Sequence, residues 1–97
     1  TGIANNQEPE TYSLEQNYPN PFNASTNIKF SLPRASYVKL VITNILGEAV
    51  GIPVEGKMTE GQHIAMFNAN DLGSGTYFYS LFIEGNLAET KKMILVK

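Results

Sequence analysis

Thr76-Tyr77-Phe78-Tyr79-Ser80-Leu81-Phe82-Ile83-Glu84 is the stretch whose reading decides the fold. Aromatic and β-branched side chains fill it, and Gly73-Ser74-Gly75 and Glu84-Gly85-Asn86 bound it with turn residues. Such a run reads as a strand, because it is too short and too punctuated for a buried helix. Alternation puts Tyr77, Tyr79, Leu81 and Ile83 on one face and Phe78, Ser80, Phe82 and Glu84 on the other. The first set carries no charge and is the expected core face. The second set is half polar. Its aromatics are expected to lie under the N-terminal loop, the preferred reading, or else to form an exposed binding patch.

The same period extends outward in both directions. Leu87 to Val96 returns as a closing strand after the Glu84-Gly85-Asn86 hairpin turn. Upstream, Ile28, Phe30 and Leu32 alternate with Lys29 and Ser31, and Val38, Leu40 and Ile42 alternate with Lys39, Val41 and Thr43. Pro33-Arg34-Ala35-Ser36 separates these two strands. Asn44-Ile45-Leu46-Gly47 is a turn with glycine where a positive φ is needed. Val50, Ile52 and Val54 alternate around Pro53, which marks an edge or a bulge. Residues 56–61 read as a second polar turn, residues 63–67 as a strand and residues 68–75 as a long turn. Residues 17–27 hold two prolines and four asparagines and read as an ordered loop whose aromatics, Tyr18 and Phe22, both pack on the core edge. No window offers an amphipathic helix. The expected fold is therefore an all-β, immunoglobulin-like antiparallel β-sandwich of about seven strands, with a small Greek-key barrel as the runner-up. Residues 1–11 are polar and aperiodic and are read as a linker from an upstream domain in a longer protein. Residues 12–97 are expected to be the folded unit.

Composition removes several function classes. The net charge of -2 and the scattered lysines give no nucleic-acid footprint. There is no cysteine, hence no disulfide and no thiolate metal site. No apolar run approaches the ~20 residues of a membrane-spanning helix. With a single histidine and a single aspartate, acid-base chemistry has little to work with. His63, Asp71 and a serine do not make a hydrolytic triad on this pattern, because Gly73-Ser74-Gly75 lacks the spacing of a nucleophile elbow. Asn68, Asn70 and Asp71 supply too few oxygens for calcium and fit turn chemistry better. Asn23-Ala24-Ser25 matches a three-residue glycosylation acceptor that chance supplies often. No catalytic residue, cofactor site or metal site is expected, and the unit is expected to be a monomer.

One string is more specific. Asn17-Tyr18-Pro19-Asn20-Pro21-Phe22-Asn23 is followed by Thr26-x-Ile28-x-Phe30-x-Leu32-Pro33. After it come Asn44 and Gly47, then Leu72-x-Ser74-Gly75-x-Tyr77-x-Tyr79, and finally Thr90-Lys91-Lys92-Met93-x-Leu95-x-Lys97. In this order the motifs resemble the C-terminal sorting domain of the bacterial type IX (Por) secretion system, type A. That domain is in turn similar to the immunoglobulin-like domain of the flagellar hook-capping protein. This chain has Ala24 where a proline is usual, Glu48 where a basic residue is common, and Phe67-Asn68 for a common Trp-Asp pair.

The resemblance implies a non-catalytic module that directs an upstream cargo domain from the periplasm through the outer-membrane translocon. The cargo would be secreted or attached to the cell surface, and a sortase would cut near the linker. It implies a motif loop at Asn17, Pro19, Asn20, Pro21 and Phe22, a turn motif at Asn44 and Gly47, and a strand motif at Gly75, Tyr77 and Tyr79. The translocon would recognise Lys91, Lys92, Met93, Leu95 and Lys97. The physical case for that handle is a terminal strand with a free edge that adds to a partner strand, flanked by lysines. The alternative is a glycan-binding or structural accessory sandwich of a secreted enzyme, using Phe78 and Phe82.

Overall fold

The computed structural model describes residues 11–97, so the expected linker lies outside the described residues but for Thr11. Among the described residues seven strands follow in order: β1 (Ser13–Leu14), β2 (Ser25–Leu32), β3 (Ser36–Thr43), β4 (Ala49–Met58), β5 (Gly61–Asn68), β6 (Gly75–Ile83) and β7 (Asn86–Leu95). They form two antiparallel sheets, β1-β2-β5 and β4-β3-β6-β7, packed as a sandwich. The runner-up closed barrel is not formed: among the described residues no ladder joins the two sheets.

The core is the alternation made physical. Ile28, Phe30 and Leu32 of β2 face Val38, Leu40 and Ile42 of β3 and Tyr77, Tyr79 and Leu81 of β6, all buried. At roughly 1.5–3 kcal/mol per buried large apolar side chain, this set is the principal stabilising term. β6 lies between β3 and β7, which explains why it is the most apolar stretch of the sequence. The β6–β7 connection is a two-residue turn: Ile83 pairs with Asn86, and Glu84 and Gly85 take φ of 51° and 83°. Positive φ at both central residues defines the type I′ turn that matches strand twist, and glycine makes the second position free of strain. Gly47 takes φ 84° in the turn after β3, as its sequence position requires.

Several expectations change in detail. Residues 56–61 are not one turn. β4 continues to Met58, and the chain reverses at Thr59 and Glu60 before β5 begins at Gly61. β4 is an edge strand, and its register slips between Leu40 and Ile42 of its partner β3, opposite Ile52 and Pro53. That bulge breaks the expected alternation: Val50 and Val54 pack against the core while Ile52 is exposed. Of the two loop aromatics only Phe22 is buried; Tyr18 is 78% exposed. The reason lies in pairing: Tyr18 bridges Asn27, whose side chain faces outward from β2, so Tyr18 points the same way. Phe78 and Phe82 are half-buried on the outer face of the second sheet. The depression beside Phe82 is lined by β3 and β6 side chains and Gly85, with no residue of the loop before β2, so the expected cover is not seen among the described residues.

Candidate functional site

The residues singled out by motif are scattered in sequence and gathered by topology. β3 and β7 end, and β6 begins, at the same end of the sandwich: Thr43 pairs with Phe78, Phe78 with Lys92, and Gly75 with Leu95. The Asn44–Gly47 turn, the loop between β5 and β6, the motif loop and the C-terminus therefore share that end.

The motif loop is built around Asn17, which is buried. Its amide Nδ2 donates to Pro19 O and Thr26 Oγ1, both at 3.0 Å, and its Oδ1 accepts from Gln16 Nε2 at 2.7 Å. Thr26 Oγ1 closes the ring by donating to Pro19 O at 2.8 Å. The Tyr18-Pro19 and Asn20-Pro21 peptide bonds are cis. Tyr79, fully buried, ties this loop to the opposite sheet. Its hydroxyl donates to Glu15 O at 2.6 Å and accepts from the Asn17 N–H at 2.9 Å. Burial pushes the Tyr79 phenol up to about 12, so it stays a neutral donor across the physiological range.

From this anchor the chain runs along the outer edge of β7. Tyr12 OH donates to Ala88 O at 2.6 Å and Gln16 Nε2 to Lys92 O at 2.7 Å. The Ile94 N–H donates to Asn20 Oδ1 at 3.0 Å, the Phe22 N–H to Ile94 O at 2.9 Å, and the Val96 N–H to Phe22 O at 2.9 Å. Phe22 thus makes a short parallel bridge to the last strand and drops its ring into the core. The expected free edge of the terminal strand is closed near its end: the motif loop supplies the partners that an added strand would have supplied.

The five handle residues divide by face. Met93 and Leu95 are buried and pair across from Tyr77 and Gly75, so they are core and not surface. Lys92 and Lys97 are exposed, and Lys91 is half-exposed with its ammonium 3.3 Å from Glu89. Lys97 is fastened at both ends, its N–H to Ser74 Oγ at 3.0 Å and its Nζ to Asn70 O at 2.6 Å. Leu87 is exposed at the far end of this strand, and near the motif end the exposed apolar groups are Ile94 and, just beyond the strand, Val96. The sequence reading missed them because Met93-Ile94-Leu95-Val96 is apolar on both faces, and period alone cannot choose between them. At the turn, Asn44 Oδ1 accepts from the Leu46 and Glu48 N–H groups at 2.9 and 3.0 Å. Glu48, the departure from the usual basic residue, takes the Asn44 amide at 2.9 Å. Ala24, in place of the usual proline, has φ 76°, a conformation closed to proline's ring. Tyr77 OH donates to Gly73 O at 2.8 Å and fixes the loop before β6.

The residues weighed for chemistry have structural roles. His63 stacks on Phe30 with ring centroids 5.4 Å apart, and its Nε2 lies 2.7 Å from Thr59 O. Asn68 Oδ1 accepts from the Asn70 N–H at 2.9 Å, an Asx turn. Among the described residues, no cluster of three His, Asp or Glu side chains could hold a metal ion.

The architecture defines a small antiparallel sandwich whose motifs converge on its C-terminal end. A family model described as the secretion system C-terminal sorting domain matches residues 16–97, and the chain belongs to that family. Comparison with curated proteins and with solved structures returned no match. A domain of this family is a C-terminal sorting signal for type IX secretion, engages that machinery, is generally non-catalytic, and marks a secreted or cell-surface protein. No helix among the described residues is long and apolar enough to cross a membrane.

Proposed function

We propose that this domain directs an upstream cargo from the periplasm through the outer-membrane type IX translocon, for release or for attachment at the cell surface, without catalysing any step itself. The observation that supports this reading is the convergence of the motif loop, the Asn44 turn and the last strand on one end of the sandwich. In this reading Lys91, Lys92 and Lys97 present charge to the translocon, while Met93 and Leu95 hold the strand that carries them. Exposed lysines give selectivity that salt weakens. A sortase cut, where it occurs, falls within the first dozen residues.

A reporter carrying an export signal peptide and this domain tests the reading in a type IX-competent host. Export to the medium or cell surface is expected. Deleting Met93 to Lys97 is expected to leave the reporter in the periplasm. Because that deletion also removes buried Met93 and Leu95, Lys92→Glu with Lys97→Glu separates recognition from folding. Unchanged export in both variants would overturn the assignment.

One observation favours a second reading. A depression of about 380 Å³ on the outer face of the second sheet is lined by Tyr37, Lys39, Val41, Thr43, Ser80 and Phe82. Its aromatic and hydroxyl lining suits a sugar ring. Retention on a polysaccharide matrix that fades in Phe82→Ala would favour glycan binding.

A further inference from the structure

Among the described residues the sandwich has four sheet edges, and three are protected. β1 is two residues long. β4 carries Pro53 and a bulge, with Glu55 and Lys57 alternating along it. β7 is covered by the segment from Tyr12 to Phe22. Proline, charge, bulges, short length and covering loops are the usual means by which edges avoid pairing with other chains. β5 has none of them among the described residues. It runs for eight residues, contains no proline, lysine or carboxylate, and pairs with β2 without a register break.

The phase of its hydrogen bonds follows from its neighbour. Asn27 exchanges both backbone bonds with Tyr18, so Asn27 faces the β1 side and Ile28 faces β5. Ala65, the partner of Ile28, turns inward, and Gln62, Ile64 and Met66 turn their N–H and C=O groups to the open edge. The side chains of these same residues lie on the outer face, where Ile64 is 63% and Met66 68% exposed.

We propose that this edge pairs with β5 of a second copy, antiparallel, about a two-fold axis at Ala65. The strand is complementary to itself in that register: Ile64 lies opposite Met66 of the second copy and Gln62 opposite Asn68. The four apolar side chains form one cluster on the outer face, and Tyr18, in the Asn27–Met66 row, flanks it. Two-fold pairing places a strand against its own charges, and β5 has no carboxylate, lysine or arginine to oppose it. Continuing the register carries Glu60 toward Asn70 of the second copy, where the Lys97 ammonium is tethered. The product is a six-stranded sheet with the two sandwiches side by side. One strand pair is a small interface, so the dimer forms at high concentration. This inference does not depend on the sorting role.

Sedimentation of the full 97-residue chain between about 10 μM and about 1 mM tests it. The mass is expected to rise from 10.7 kDa toward twice that value. Amide exchange at Ile64 and Met66 is expected to slow over the same range while Ile94 and Val96 stay unchanged. The double variant Ile64→Lys, Met66→Lys puts like charges opposite each other and is expected to weaken the dimer more than about tenfold. Both side chains are exposed, so its melting temperature at low concentration is expected to match the parent chain. A single 10.7 kDa species throughout would overturn the proposal. So would a dimer that survives the double substitution, or a monomer whose β5 edge takes only a synthetic uncharged strand peptide.

Discussion

The outer edges of β7 and β5 end in opposite states, and it is the strand with lysines and a glutamate, β7, whose edge is covered. Both strands carry exposed apolar residues on alternate positions, Ile94 and Val96 on or just beyond β7 and Ile64 and Met66 on β5. The β7 edge is closed by a loop more than seventy residues away in sequence, through Gln16, Asn20 and Phe22. The β5 edge ends its sheet with no strand beyond it among the described residues. The difference shows that a strand's own composition does not decide whether its edge is available. The decision at β7 belongs to the loop, and the loop is the most specific motif in the chain.

The comparison breaks most severely at Phe22. Phe22→Ala removes a ring that is 2% exposed and is expected to cost about 3–5 kcal/mol. Against the 5–15 kcal/mol typical of whole domains, that is a large share of the total. A urea titration measures the loss, and the Ile94 and Val96 amides are expected to lose protection together with it. A comparable loss of protection at β5 instead would show that the loop does not serve β7.

Tyr79→Phe is expected to act next. It leaves Glu15 O and the Asn17 N–H without their partner, which costs about 1–3 kcal/mol when such groups stay buried. The hydroxyl also predicts a pH profile. The folded-state value is raised to about 12 by burial, above that of an unfolded tyrosine near 10. Its contribution is therefore fully present below pH ~10 and is lost as pH rises toward about 12. Denaturation midpoints of the parent chain should fall across that window, and subtracting the Tyr79→Phe profile should isolate this component. The smallest effect belongs to the open edge: Met66→Lys is expected to change stability by less than about 0.5 kcal/mol in dilute solution. A large loss there would mean that β5 is covered.

Much of this was legible beforehand. The faces of β2, β3 and β6 followed from period-2 alternation, because each strand has one face with no charge. The Gly47 and Gly85 turns followed from the backbone conformations that only glycine takes cheaply. What alternation could not supply was the state of the edges, which depends on hydrogen bonds between distant segments. Asn20 illustrates this: nothing in its sequence neighbourhood says that its side chain receives the Ile94 N–H. The misplacement of Tyr18 has the same origin. An aromatic in a loop reads as a packing residue, but its bridge to Asn27 turns it outward. The motif groups Met93 and Leu95 with lysines, and only the pleat shows that these two are buried while the lysines lie outside.

The motif loop and the terminal strand form one unit, while among the described residues the opposite edge stands open. Native-state amide exchange on dilute protein tests it directly. Ile94 and Val96 should be protected nearly as well as the core strands, and Ile64 and Met66 should exchange at close to the rate of exposed backbone. Fast exchange at Ile94 and Val96, with protection at Ile64 and Met66, would contradict it.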